Sequence, residues 1–303
     1  MEKARFKWVL RERNRKIAAK TEVFTEQQAR RSFHSSFKEY SPTPLIELTS
    51  LAQHLGIKNL FVKDESYRFG LNAFKVLGGS FAIGSYIANE LGEDIDDLPY
   101  MRLVSDEVRS LLGSKTFITT TDGNHGRGVA WTANRLKQQA IVYMPQGSAA
   151  ERLSNIRAEG AQAEITDMNY DDTVRYTSEL AQKNGWIIVQ DTAWDGYTRI
   201  PLWIMQGYMT MALEAYEQLP VKPTHIFLQA GVGSLAGSVQ GFFADIYGSS
   251  CPLTFIVEPK GADCLYQTAA ANDGSLHSVT GRLETIMAGL ACGEPNSIAW
   301  GIL

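Results

Sequence analysis

The sequence predicts an α/β protein of two domains, each an open, mostly parallel twisted sheet flanked by helices. Three observations carry this. The chain has 303 residues, against the ~150 typical of one domain. From Phe117 onward, short β-branched runs alternate with helix-period stretches, the pattern of parallel sheets covered on both faces. Two glycine-rich segments, 119–128 and 229–237, each join a predicted strand to a predicted helix. Such turns lie at the carboxyl ends of strands, where open α/β sheets bind ligands.

The elements follow in chain order. The chain is basic from Lys3 to Lys20, but its amino-terminal stretch also carries Glu2 and Glu12, with no apolar core and no small-residue cleavage site. It reads as a solvated helix or arm rather than a targeting peptide. Pro42 and Pro44 hold the next segment extended. Leu48, Leu51, Ala52 and Leu55 form a helix stripe that Gly56 ends, and residues 59–62 predict a short buried strand. Phe74, Leu77, Phe81, Gly84, Ile87 and Leu91 share one face of a helix. After an acidic connection at 93–97, strands are expected at 117–121, 141–144, 163–166, 186–190, 225–229 and 253–257. Helices are expected between them at 129–136, up to Gly160 with Ser148 as cap, at 171–183, 201–218 and 235–247.

Composition narrows the function. Hydrophobic residues make up 44% and charged residues 20%, with a net charge of −4. That is the profile of a soluble enzyme with no basic field for nucleic acid. No apolar run approaches the roughly 20 residues of a membrane span. The three cysteines, Cys251, Cys264 and Cys292, are too few for a disulfide framework, which favours a reducing, cytoplasmic setting. The redox state of Cys264 and Cys292 stays open.

Three segments could carry chemistry. Gly231-Val232-Gly233-Ser234-Leu235 opens a helix after a strand, where backbone N–H groups attract an anion. With Ala236, and Glu258 ending the next strand, it also fits a dinucleotide fingerprint. A nicotinamide-dependent oxidoreductase is therefore a rival reading, and a ligand-free tight turn is the plain one. The second segment, Thr121-Asp122-Gly123-Asn124-His125, is too rich in polar side chains for chain reversal alone, although His125 by itself would suit a structural role. The third is Lys75, among apolar and small neighbours in Ala73-Phe74-Lys75-Val76-Leu77-Gly78-Gly79. Lysines at helix starts commonly snorkel to solvent, but an inward amine here would be desolvated and nucleophilic. A lysine, an anion turn and a polar turn are together the parts that pyridoxal phosphate needs.

The sequence resembles the fold-type II, tryptophan-synthase-β-like, pyridoxal-phosphate enzymes, and among them the diaminopropionate ammonia-lyases. The motifs that carry this include Val62-Lys-Asp-Glu-Ser66, Phe69-Gly-Leu-Asn-Ala-Phe-Lys75, Thr119-Thr-Thr-Asp-Gly-Asn-His125, Gln190-Asp-Thr-Ala-Trp194, Trp203-Ile-Met-Gln-Gly-Tyr208 and Ile286-Met-Ala-Gly-Leu-Ala-Cys292. The resemblance implies a large cofactor-binding domain from 1–77 and 197–303, a small domain from 78–196, and a homodimer acting on an amino acid. It implies that Lys75 joins the cofactor aldehyde, that Gly231, Val232, Gly233, Ser234 and Leu235 cradle its phosphate, and that Asn124 bonds its ring hydroxyl. Thr121, Asp122 and His125 would receive the substrate, with Asp191 a further binding acid. Lys75 and Asp122 would be the catalytic bases, one for each enantiomer of 2,3-diaminopropionate. Asp122 separates this reading from a serine or threonine dehydratase, where a small or hydroxyl residue is usual. Members of the family extend beyond the position of Leu303. That implies an incomplete large domain, an exposed sheet edge and the possibility of a cofactor-binding remnant without turnover.

Overall fold

The computed structural model describes residues 6–11, 27–121 and 123–303. Most of the basic amino-terminal stretch and Asp122 therefore lie outside the described residues. The chain separates into two compact units, one of 26–191 with 197–223, the other of 1–25, 192–196 and 224–303.

The first unit holds a four-stranded parallel sheet. Its strands are β3 (Thr116–Thr120), β4 (Gln139–Met144), β5 (Gln162–Ile165) and β6 (Ile187–Ile188), in the order β5-β4-β3-β6. β3 is buried along Phe117–Thr120, which accounts for its unbroken β-branched run. The helices of this unit are α1 (Gln27–Ser35), α2 (Thr49–Leu55), α3 (Lys75–Leu91), α4 (Asn124–Arg135), α5 (Ala150–Ala158), α6 (Tyr170–Asn184) and α7 (Arg199–Gln218), besides shorter turns. Asn169 starts α6 by accepting the Asp172 N–H at 2.9 Å, a side-chain cap for an orphan donor. β1 (Leu45–Glu47) and β2 (Phe61–Lys63) form a separate antiparallel pair.

Helices α3 and α7 approach closely because both lack side chains at the crossing. A Cβ on Gly207 would lie 2.4 Å from the Leu77 carbonyl oxygen, and one on Gly78 would lie 2.5 Å from Tyr208 Cε1. The buried His34 ring ties the same helices to α1: Nε2 donates to the Leu77 carbonyl at 3.0 Å, and Nδ1 lies 2.7 Å from Thr210 Oγ1. Ahead of Lys75, the fully buried Arg68 guanidinium donates to Glu214 at 2.7 and 2.8 Å and to Glu65 at 2.8 Å. Burial would raise the Glu214 carboxyl, but Arg68 and Lys63 hold it down at about 2. Phe69 packs beside Trp131, 5.1 Å between ring centroids, and Phe37. The chain entering α3 is thereby fixed at both its charged and its aromatic ends.

The second unit contains the parallel pair β7 (His225–Gln229) and β8 (Leu253–Val257), with α8 (Ser234–Tyr247) and α9 (Cys264–Ala271). Trp300 lies under the Arg11 guanidinium, 4.0 Å from its ring centroid.

Three expectations are corrected. The strand at 59–62 is not buried; as β2 it leaves Val62 exposed, because only β1 pairs with it. Ser148 does not cap α5: its hydroxyl turns back to the Pro145 carbonyl at 2.8 Å, and Ala149 stands at the cap. Helix α7 packs along α3 and belongs to the four-stranded unit. The sheet of β7 and β8 is not covered on both faces: Phe227 is 65% and Phe255 41% exposed, their rings stacked at 4.7 Å.

Candidate active site

Lys75 is the first residue of α3. Its Nζ donates to Asp191 Oδ2 at 2.6 Å, with the two side chains 22% and 8% exposed. Apolar flanking residues predict an isolated, desolvated amine. The fold supplies a carboxylate instead, because a charge taken from water is tolerable only when paired. Burial alone would raise the Asp191 carboxyl, yet Lys75 and His125 hold it at about 2. The acid is therefore an anion across the working pH range.

Asp191 follows β6, and its neighbours fix it there. The Gln190 side chain accepts from the Thr120 N–H at 3.0 Å and donates to the Tyr170 hydroxyl at 2.8 Å. The Gln190 N–H donates to the Tyr197 hydroxyl at 2.9 Å, which donates on to the Ile188 carbonyl at 3.0 Å. Tyr197, with its phenol pushed up by burial, and Gln190 are supporting residues that local sequence did not reveal. Gln190 stood in a quoted motif, which was the one signal available.

The polar turn leads from β3 into α4. Thr121 Oγ1 accepts the N–H groups of Gly123 at 2.9 Å and Gly126 at 3.1 Å, folding the turn onto the helix start. His125 is buried and its Nε2 donates to the Val189 carbonyl at 2.7 Å, which leaves Nδ1 facing Asp191 Oδ2 at 4.0 Å. Asn124, at the head of α4, is exposed. Helix α4 comes close to Lys75 because Gly128 has no side chain: a Cβ there would lie 2.9 Å from Val76 Cα and 3.0 Å from its nitrogen. Arg127 adds a bond to the Leu71 carbonyl at 3.2 Å, in the loop that leads to Lys75. Thus Lys75, His125 and Asp191 meet, with Thr121 shaping their turn.

The second unit forms the glycine turn on its own. β7 runs through Ala230 into Gly231, and α8 begins at Ser234 behind Gly233, whose φ of +100° suits glycine. A Cβ on Gly231 would meet Cys292 Sγ at 3.1 Å. The Asn296 N–H donates to the Val232 carbonyl at 2.7 Å, and its side chain donates to Ser234 Oγ at 2.8 Å. The first N–H groups of a helix have no intrahelical acceptor, so the start of α8 suits a phosphate. Taken by itself, this donor set fits the phosphate of pyridoxal phosphate. Cys264 donates to the Gly231 carbonyl at 3.6 Å, and burial pushes its thiol up.

The dinucleotide reading loses its acid. Both Glu258 oxygens accept backbone N–H groups at the start of α9, from Leu265 at 2.9 Å and Tyr266 at 2.8 Å. The residue is a helix cap, and it is engaged where a ribose would need it. Its carboxyl is raised to about 7, chiefly by burial.

Comparisons with known proteins agree with this chemistry. Residues 37–303 match the family described as pyridoxal-phosphate dependent enzyme. The chain is 54% identical over 276 residues to diaminopropionate ammonia-lyase of Salmonella typhimurium, covering 90% of this chain and 68% of that one. It is 52% identical over 287 residues to the Escherichia coli enzyme of that name, covering 93% and 70%. A crystal structure of the Escherichia coli enzyme in complex with D-serine superposes with a TM-score of 0.86 at 50% identity, over 93% of this chain and 70% of that one. Another, with an aminoacrylate–pyridoxal-phosphate intermediate, gives 0.83. A tomato threonine deaminase, at 21% identity and a TM-score of 0.72, shares the fold.

Proposed function

This chain belongs to the pyridoxal-phosphate dependent enzymes and, within them, to the diaminopropionate ammonia-lyases, and from that premise we propose that it converts 2,3-diaminopropionate and water to pyruvate and two molecules of ammonia. The observation that carries the reading is the Lys75–Asp191 pair at the head of α3, a protonatable amine set beside a permanent anion.

When bound, pyridoxal phosphate supplies an aldehyde that captures an amine and a conjugated ring that takes up electrons as the α-proton leaves. The turn from Gly231 to Leu235 would hold its phosphate, and Asn124 its ring hydroxyl. Lys75 Nζ would hold the group and would be the nitrogen that takes up and returns protons. Asp191 keeps Nζ aimed while it is an ammonium. Thr121 and His125 would receive the substrate carboxylate. The β-amino group must leave protonated, so an acid is needed near it. Asp122 would pair with that second amino group, or take the α-proton of the enantiomer that Lys75 does not serve. Homodimerisation and a cytoplasmic setting complete the reading. No helix among the described residues is long and apolar enough to cross a membrane.

The test loads the full chain with pyridoxal phosphate. A visible absorbance band that borohydride abolishes, and that Lys75→Ala lacks, supports the assignment. Pyruvate release from 2,3-diaminopropionate but not from serine supports the substrate; the reverse preference would assign a dehydratase and refute it.

A further inference from the structure

Lys75 opens α3, and no side chain caps that helix: Phe74 stands at the cap and makes no side-chain bond there. Where the amine sits is therefore set by the loop that leads to it. That loop is strained. Phe69 has a φ of +50° and Asn72 one of +58°, a left-handed conformation that is costly for a bulky residue and persists only where surrounding groups impose it. The Arg68 guanidinium, bound to Glu214 and Glu65, holds one end. Between the two left-handed residues, the Leu71 carbonyl accepts from Arg127 Nη1 at 3.2 Å. The same guanidinium donates from Nε and Nη2 to Glu159 Oε1 at 3.0 and 2.9 Å, with the two side chains 24% and 19% exposed. The Arg127 backbone N–H donates to the Gly123 carbonyl, also at 2.9 Å, inside the polar turn.

One residue thus grips the polar turn by its backbone and the lysine's loop by its side chain. An ion pair with Glu159 alone would need no guanidinium, since a lysine ammonium supplies a point charge as well. The planar fork lets three N–H groups reach two acceptors on different segments at a fixed spacing. We propose that Arg127 is a positioning residue for Lys75: through the Leu71 carbonyl it keeps the loop in its left-handed form, and so sets where the amine stands relative to the polar turn and Asp191. Glu159, which follows α5, aims the guanidinium. This role rests on Lys75 being the amine that serves the proposed reaction, and adds the group that holds it in register.

The experiment is acetylation of Lys75 by acetic anhydride in the full chain stripped of cofactor. It is read by peptide mass spectrometry, with Lys115 as an internal reference. Arg127→Gln removes the bond to Leu71, and the loosened loop exposes the amine. Lys75 should then be labelled about tenfold faster, the factor that one charge-assisted hydrogen bond is worth, while Lys115 keeps its rate. Glu159→Gln keeps the guanidinium and its carbonyl bond, so Lys75 should stay within about twofold of the native rate. Arg127→Met keeps the apolar stem and gives the same reading if the glutamine variant does not fold. An unchanged or slower Lys75 in Arg127→Gln overturns the proposal. So does an equal rise in Glu159→Gln, which would leave the arginine as half of an ion pair. A rise shared by Lys115 overturns it too, because the whole unit would have loosened. In the loaded enzyme, Arg127→Gln should lower kcat about tenfold and leave KM within about twofold, because the proton-carrying group is displaced and the turn that receives the substrate is not. An unchanged kcat, alone or with a raised KM, overturns the role as well. Labelling needs neither cofactor nor substrate, so failure of the absorbance test on Lys75→Ala would strike the cofactor assignment separately.

Discussion

The Lys75 ammonium and the Asp191 carboxylate, 116 residues apart in sequence, meet at 2.6 Å. The pair joins the start of α3 to the segment after β6, so the candidate base and its anionic partner are held by different elements of one unit. Its effect on stability has a definite sign. The folded carboxyl at about 2 lies below its ordinary 3.8, so its contribution is full above about pH 4 and is lost as pH falls through about 2. Asp191→Asn should lower stability at pH 7 by about 2 kcal/mol and flatten the loss between pH 4 and 2, as measured by denaturant unfolding across that range.

Gly128→Ala should disturb the site through backbone alone. The added methyl would lie 2.9 Å from Val76 Cα, and neither helix can yield by rotating a side chain. A loss of about 1–3 kcal/mol is expected, with weaker retention of pyridoxal phosphate. Thermal unfolding and the visible band report the two effects. A variant with unchanged Tm and full cofactor content would contradict the close approach of α3 and α4.

Glu258 gives the opposite pH slope from Asp191. Its folded carboxyl, at about 7, lies above the ordinary 4.5. Its contribution is therefore full below about pH 4.5 and is lost as pH rises through about 7. Denaturant midpoints should fall between pH 5 and pH 8 in the native chain and change less in Glu258→Gln. Equal slopes in both proteins would show that the cap is not the titrating group.

The exposed stack of Phe227 on Phe255, flanked by Leu253 and Val257, is an apolar patch of the kind that binds dyes and promotes association. Phe227→Glu should reduce both the fluorescence of a bound hydrophobic dye and light scattering at high protein concentration. No change in either would mean that this face is not the adhesive one.

Much of the fold was legible because its signals are local. Helix α3 could be read from the spacing of Leu77, Phe81, Ile87 and Leu91, and β3 from a run of β-branched residues. The glycine turns announced themselves by residues that only close backbone approach requires. The site was legible in part: Lys75, Thr121 and His125 stand in motifs, and Asp191 followed from resemblance. Ser148 misled because its hydroxyl can serve either the helix or the preceding turn, and sequence does not rank the two. Glu258 misled because a carboxylate at a strand end suits a ribose or a helix start equally well.

The sequence by itself determined the alternation of elements, the two polar turns and the candidate amine, since each depends on residues within a few positions of one another. The tertiary structure decided which acid holds that amine, which phenol presses on its helix, which carboxylate is consumed as a cap and which sheet face stays open. Those outcomes depend on burial and pairing across more than a hundred residues, where desolvation lets a charge or hydroxyl enter the interior only beside a partner that packing brings to it.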